Sequence, residues 1–339
     1  MTTQSVQRTT SEPGVTNPER ADRSHDPGET GGSVGRVSSS RTVEHVELTA
    51  ESADRALRTA ASQIGLPTDG AKLIRLGSNA VFRVPGNVIA RVARSAAMLE
   101  NAQKQVDVAG WLEAEDFPAV RALDVRQPVV AENRVVTFWR SESDEDVYAP
   151  IDEVAHLIRR LHALTEPTDI RLPALRPFGA PDDPLPDFSV LSSDDAQYLR
   201  GRFAEARRMF DSLDYALPRG VVHGDANVGN VILADDGRAV LIDLDSFSRG
   251  PREWDLIQTA IFYDRFGWHT AEEYETFVRI YGYDIMGWSG YRDLANMREV
   301  AMTAWLSRKA SNSARSAAEA AKRLSAMRTG ASRRDWSAY

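Results

Sequence analysis

Apolar positions along the chain follow two rhythms, and the order in which these alternate divides the molecule. Leu57, Ala61 and Ile64 share one face of a helix that Thr49 can cap and that Gly65 and Pro67 end. The pattern then becomes that of strands: AKLIRL (71–76), AVFRV (80–84) and VIARVA (88–93). Gly77-Ser78-Asn79 lies between the first two, and Pro85-Gly86-Asn87 turns the second into the third. Met98, Ala102, Val106, Ala109 and Leu112 restore a helical period over 96–114. Runs at 120–125 and 134–139 again read as strands. Three strands, a helix and two strands predict an antiparallel five-stranded sheet with one main helix packed on it.

Beyond residue 140 the rhythm is almost wholly helical. An acidic, polar stretch at 140–150 leads into a helix over 151–164, with Val154, Leu157, Ile158 and Leu161 on one face. A proline-rich loop fills 167–186, and a helix capped by Ser192 or Ser193 runs to 213. Four more helices are expected at 254–266, 271–281, 291–307 and 313–327. Before them the strand period returns once, in NVILA and RAVLID, separated by Asp235-Asp236-Gly237 as in a hairpin. Residues 1–47 contain no Leu, Ile or aromatic residue, so they cannot bury enough apolar area to offset ordering and are expected to form a disordered tail. Either a passive extension or a regulatory segment fits that composition. The expected organisation is a tail (1–47), a small sheet domain (48–139), a linker (140–150), a mainly helical domain (151–329) and a short C-terminal tail (330–339).

Composition narrows the function. The net charge of −8 and pI near 5.4 argue against a nucleic-acid binder, which needs a clustered basic surface. No apolar run approaches the roughly 20 residues of a membrane span, and no signal-peptide core opens the chain. The absence of cysteine excludes disulfides and thiolate metal sites and fits the cytoplasm. Monomer and homodimer are equally compatible with these numbers.

The chemistry concentrates in VVHGDANVGNVILADDGRAVLIDLD (221–245). Folding the hairpin returns Asn230 and Asp243 to the same end of the sheet, where they supply hard oxygen ligands suited to Mg²⁺. Asp225, on the same loop, can accept a proton from a hydroxyl nucleophile, and His223 can hold the loop by hydrogen bonding. Asp245 either supports the metal or caps the loop. Metal clamp and base are the parts of a phosphoryl-transfer site. A zinc-type hydrolase needs more histidines or bridging carboxylates than this cluster offers, since the chain has six His and one lies here. No G-x-S-x-G elbow supports a serine hydrolase.

HGDANVGN followed by LIDLD resembles the catalytic loop and metal-binding segment of the aminoglycoside phosphotransferase-like family, small-molecule kinases with a protein-kinase-like fold. Gly250-Pro251-Arg252-Glu253-Trp254-Asp255-Leu256 is similar to the segment that follows in that family, whose Asp supports the catalytic loop. The resemblance spans roughly 48–328. It implies an α+β bilobal fold, ATP and Mg²⁺ as cofactors, Asp225 as base, and Asn230 and Asp243 as metal ligands. It also implies that Gly77, Ser78 and Asn79 form the nucleotide-covering loop, although an ordinary turn fits those residues too. Arg91 then stands where the family has a phosphate-binding lysine, and Gln105 where it has that lysine's glutamate partner. Phe138 and Trp139 fall in the interlobe hinge, whose backbone would contact adenine. The expected partner is a small hydroxyl compound. It is cationic if the acidic residues Glu142, Asp144, Glu145, Asp146, Asp152, Glu153, Asp182, Asp183 and Asp187 face the cleft, and unconstrained if they are merely solvated. The substitutions at Arg91 and Gln105 leave a second reading: a kinase-fold binding module with impaired catalysis.

Overall fold

Thr49 opens helix α1 (Ala50–Gln63) with a capping box: its Oγ1 accepts from Ser52 N–H, and Ser52 Oγ accepts from the Thr49 N–H. The face made by Ala53, Ala56, Leu57, Ala60 and Ala61 is fully buried against the sheet. This structure, a computed structural model, describes residues 47–143 and 147–338. The tail expected before Glu47, and Asp144, Glu145 and Asp146, lie outside the described residues.

Five strands form the first sheet: β1 (Lys72–Leu76), β2 (Ala80–Val84), β3 (Val88–Val92), β4 (Val129–Ala131) and β5 (Arg134–Arg140). Every pairing is antiparallel, in the order β1-β2-β3-β5-β4. Alternate residues of β2 and β3 (Ala80, Phe82, Val84; Val88, Ala90, Val92) join the α1 face in one core. Helix α2 (Leu99–Ala114), entered through a 3₁₀ turn, connects β3 to the segment that leads to β4.

The fourth strand is not 120–125, as periodicity suggested, but Val129–Ala131. Glu132 and Asn133, both left-handed with φ of 51° and 57°, make a two-residue turn that matches strand twist and selects this hairpin. The run at 120–125 is extended, yet its bonds go elsewhere. Val120 N–H donates to Leu241 O and Leu123 N–H to Phe138 O, both at 2.9 Å. It therefore stitches the sheet to the hairpin at 231–241.

The larger lobe begins with α3 (Ile151–Ala163) and α4 (Ser193–Phe210). Short strands β6 (Gly220–Val222), β7 (Val231–Leu233), β8 (Ala239–Leu241) and β9 (Ser248–Gly250) pair as β6–β9 and β7–β8. Helices α5 (Glu253–Ile261), α6 (Ala271–Tyr281), α7 (Tyr291–Lys309) and α8 (Ala314–Thr329) follow, α5 ending in a turn of π-helix. Phe178, Phe203, Phe210 and Trp254 meet edge-to-face in its core. Trp336, expected in a tail, is instead buried 5.1 Å from the Phe266 ring. Among the described residues no helix is long and apolar enough to cross a membrane.

Candidate active site

The loop after β6 is shaped from beneath. Asp255, wholly buried on α5, accepts from the N–H of His223 at 2.7 Å and of Gly224 at 2.8 Å, and from His162 Nε2 at 3.1 Å. Burial works to raise the Asp255 carboxyl, but His162, His223 and the backbone bonds outweigh it and hold it below the usual carboxylate range. Trp254 Nε1 donates to Gly224 O at 2.9 Å, so neighbouring residues of α5 hold both sides of this turn. Gly224 has φ of +86°, and a Cβ there would lie 2.5 Å from Ser246 O; only glycine fits.

His223 is fully buried and its Nε2–H donates to Ile242 O at 2.9 Å, while Ile242 N–H donates to Asn230 O at 2.9 Å. A carbonyl only accepts, so the Nε2 proton is fixed by that contact. These two bonds, with the Val231–Leu241 register, bring Asn230 beside the chain entering Asp243. Asn230 Nδ2 donates to Asp225, to its backbone O at 2.8 Å and to Oδ2 at 3.1 Å. Asp225 and Asn230 are hydrogen-bonded to each other, and Asn230 to Ile242, the residue before Asp243. Asp243 has φ of 63°, a left-handed conformation rare outside glycine and common at functional turns.

Asp243 and Asp245 are bridged by Arg91 of β3, whose Nη2 lies 3.1 Å from Asp243 Oδ1 and 3.2 Å from Asp245 Oδ1. Burial raises Asp243, yet Arg91, His223 and Arg75 together leave it below the ordinary carboxylate range. Asp245 moves the other way, raised by burial and by Asp243 against the pull of Arg91 and Lys104. Arg91 Nη1 also donates to Gln105 Oε1 at 3.2 Å, so the pair forms as a hydrogen bond. With its amide oriented to suit both neighbours, Asn79 accepts from Arg91 Nη2 and donates to Ser78 O. Arg94 grips the same loop through Ser78 O and Gly77 O. Gly77, Ser78, Asn79, Arg91 and Gln105 are therefore brought together above the carboxylates.

Phe138 and Trp139 are not. They lie inside β5, paired with Ala90 and Ile89, and both side chains are buried. Phe138 N–H donates to Gln127 Oε1, and its C=O accepts from Leu123 and Gln127. The Phe138 backbone groups are therefore already engaged. Four of the acidic residues singled out from the sequence have local roles. Asp183 and Asp187 cap turns through Ala180 N–H and Ser189 N–H, and Asp152 and Glu153 open α3, where the helix dipole favours them.

Three contributors escaped sequence reasoning. Asn101 and Lys104 of α2 reach across to Asp245 O at 3.1 and 2.6 Å. With Gln105 they occupy positions i, i+3 and i+4, one helical face, which was the available signal. Burial lowers the Lys104 ammonium despite Asp245 and Asp243 nearby. The third is Arg298 of α7, whose Nη2 lies 2.5 Å from Asp225 Oδ1. Its clue was an adjacent Arg298–Glu299 pair in a helix that buries both.

The donor set suits a hard, oxygen-preferring cation. Asn230, whose Nδ2 is turned to Asp225, keeps its amide oxygen as a donor, and Asp243 and Asp245 add carboxylates that share Arg91. Among the described residues no three His, Cys, Asp or Glu converge as a metal cage. That sparse set is what Mg²⁺ accepts, since phosphate oxygens and water complete its shell.

The chain matches the model of the phosphotransferase enzyme family over residues 71–300. Similar solved structures include amicoumacin kinase hAmiN in complex with AMP-PNP, Ca²⁺ and Ami, at 12% identity and TM-score 0.62, covering 83% of this chain and 94% of that one. Aminoglycoside phosphotransferase APH(3'')-Id from Streptomyces rimosus is 21% identical with TM-score 0.53, covering 73% and 96%. Spectinomycin phosphotransferase APH(9)-Ia, solved with ADP and spectinomycin, is 13% identical with TM-score 0.53, covering 80% and 94%. No curated protein sequence matches. Family match, bilobal kinase-like fold and loop geometry agree: the chain belongs to the phosphotransferase enzyme family, a family of small-molecule kinases.

Proposed function

We propose that this protein transfers the γ-phosphoryl group of ATP to a hydroxyl of a small molecule, with Mg²⁺ as cofactor. Bound Mg·ATP would supply the phosphoryl group and neutralise its developing charge. Asp225 orients the acceptor hydroxyl and takes its proton. Asn230 and Asp243 hold the metal, Asp245 supports them, and His223 fixes the chain entering Asp243. Arg91, Gln105 and the Gly77–Asn79 loop face the nucleotide phosphates. With the metal held by Asn230 and Asp243, Arg91, whose planar guanidinium offers several donors, would be available to a nucleotide phosphate.

The observation that carries this reading is the hydrogen-bonded run from Asp225 through Asn230 to Ile242, the residue before Asp243, with Arg91 already placed on the carboxylate that would hold the metal. Nucleotides in similar folds, AMP-PNP in hAmiN and ADP in APH(9)-Ia, support the cofactor class. The local roles of Asp152, Glu153, Asp183 and Asp187 leave acceptor charge open, so the test is a screen. Purified protein with Mg·ATP is offered aminoglycosides, amino sugars, neutral sugars and amino alcohols. Turnover of at least one acceptor is expected, abolished in Asp225→Ala with Mg·ATP affinity retained. Full turnover in that variant overturns the base assignment. Neither turnover nor ATP binding in the wild-type protein favours the impaired binding module.

A further inference from the structure

We infer that Arg298 is the positioning residue of the proposed base: it fixes one oxygen of Asp225 so that the other faces the acceptor hydroxyl. The inference rests on Asp225 acting as proposed above.

The geometry is that of a buried cation aimed outward at one end of the site. The Arg298 side chain is 8% exposed and that of Asp225 44%, with 2.5 Å between Nη2 and Oδ1. Behind it the guanidinium lies over the Trp254 ring, 4.8 Å from the centroid, and donates to Gln258 Oε1. Trp254 thus serves the loop twice, through its N–H on Gly224 O and its face under Arg298. Arg298 Nε finds no partner among the described residues. Its orientation is therefore set by Asp225, Gln258 and Trp254, not by saturating every donor.

Such a pair is a poor device for stability, because desolvating the guanidinium offsets most of the Coulombic gain and apolar replacements are often neutral. It is a good device for aim. With Oδ1 tied to α7 and Oδ2 receiving Asn230 Nδ2, the carboxylate plane is fixed from two elements. An ionised carboxylate has about four acceptor positions, so Oδ2 keeps one for the substrate hydroxyl. Misplacing a reacting group by about 1 Å costs on the order of 10²-fold in rate.

The test compares Arg298→Met, Arg298→Lys, Arg298→Ala and Asp225→Asn, using the acceptor found by screening. Arg298→Met is expected to lower kcat about 100-fold, with the Kd for a fluorescent ATP analogue unchanged within about twofold. Arg298→Lys, which retains the charge without the fork, is expected to fall between Met and wild type. Guanidinium ion should partly restore kcat of Arg298→Ala, and ammonium at equal ionic strength should not. Wild-type kcat in Arg298→Met overturns the inference. So does a parallel loss of kcat and nucleotide affinity without guanidinium rescue, which marks a purely structural residue. Should Arg298→Met fail to fold, the lysine variant and the rescue decide alone. Asp225→Asn separates the two readings: if it keeps turnover, the base assignment itself fails; if only it loses turnover, Arg298 alone is wrong.

Discussion

The two sides of the candidate site are built to different standards of rigidity. Below the cleft, Asp255, His223, Gly224 and Trp254 form a buried frame whose donors aim inward, and Asp255 and His223 are fully buried. Above it, Arg91 bridges the Asp243 and Asp245 carboxylates, whose side chains are 35% and 40% exposed, Gln105 holds Arg91, and Asn101 and Lys104 donate to the Asp245 backbone oxygen. Buried, hydrogen-bonded groups resist rearrangement, whereas part-exposed ones exchange partners with water or ligand at little cost. On the proposed function, the lower half is a fixed template beneath the base and the metal ligands. The upper half centres on one cation, Arg91, shared between two part-exposed carboxylates.

The largest effect is expected from breaking the template. Asp255→Ala leaves two backbone N–H groups and His162 without their shared acceptor in a dry interior. Losing one partner of a buried charged network costs about 3–5 kcal/mol. Urea unfolding should show that loss, and phosphoryl transfer should vanish even where the protein remains folded. The acid dependence follows from the depressed carboxyl. Its contribution is complete above the unfolded pKa of about 4 and is lost as pH falls through the lower folded value. Asp255→Asn should flatten that acid limb. Stability equal to wild type in Asp255→Ala would place the frame's strength elsewhere.

What could be read from the chain alone follows the same division. The hairpin and its two clusters were legible because both strands are apolar and the turn is Asp-Asp-Gly, with Gly237 at φ of 83°. Local signals sufficed where the structure is local. They failed where equal apolar runs competed, as at 120–125 against Val129–Ala131. They failed again at Phe138, whose backbone is occupied by Gln127 and Leu123 through contacts no period encodes. Arg298 was out of reach for a stronger reason: it meets Asp225 across 73 residues of chain. Such a pairing exists only once α5 and α7 have packed.

A smaller effect is expected from the upper half, in binding. Arg91→Met removes the bridge to Asp243 and Asp245 and the proposed phosphate contact together. Hydrogen bonds to charged groups contribute about 1.5–3 kcal/mol each, so Mg·ATP affinity should fall at least tenfold while the melting temperature barely moves. Isothermal titration would show it. An unchanged Kd would mean that Arg91 serves only the empty site.

The finest test of the contrast is Gln105→Glu. Gln105 is buried and holds Arg91 by one neutral acceptor, with its own Nε2 on Asn101 Oδ1 at 2.6 Å. A carboxylate there gains charge attraction for Arg91 and loses the bond to Asn101, whose oxygen then faces another acceptor. If the Arg91 bridge is adjustable, Arg91 should shift its balance from Asp243 towards Glu at 105 and free the proposed metal side. Mg²⁺ affinity should then rise by a few-fold, about 1 kcal/mol, below the worth of one full charged contact because Arg91 is shifted and not removed, with kcat nearly constant. If instead the Arg91 bridge is as rigid as the frame beneath it, the same substitution should leave Mg²⁺ affinity untouched and appear only as lost stability. Metal titration and thermal melting of one variant therefore decide whether the two halves differ in kind.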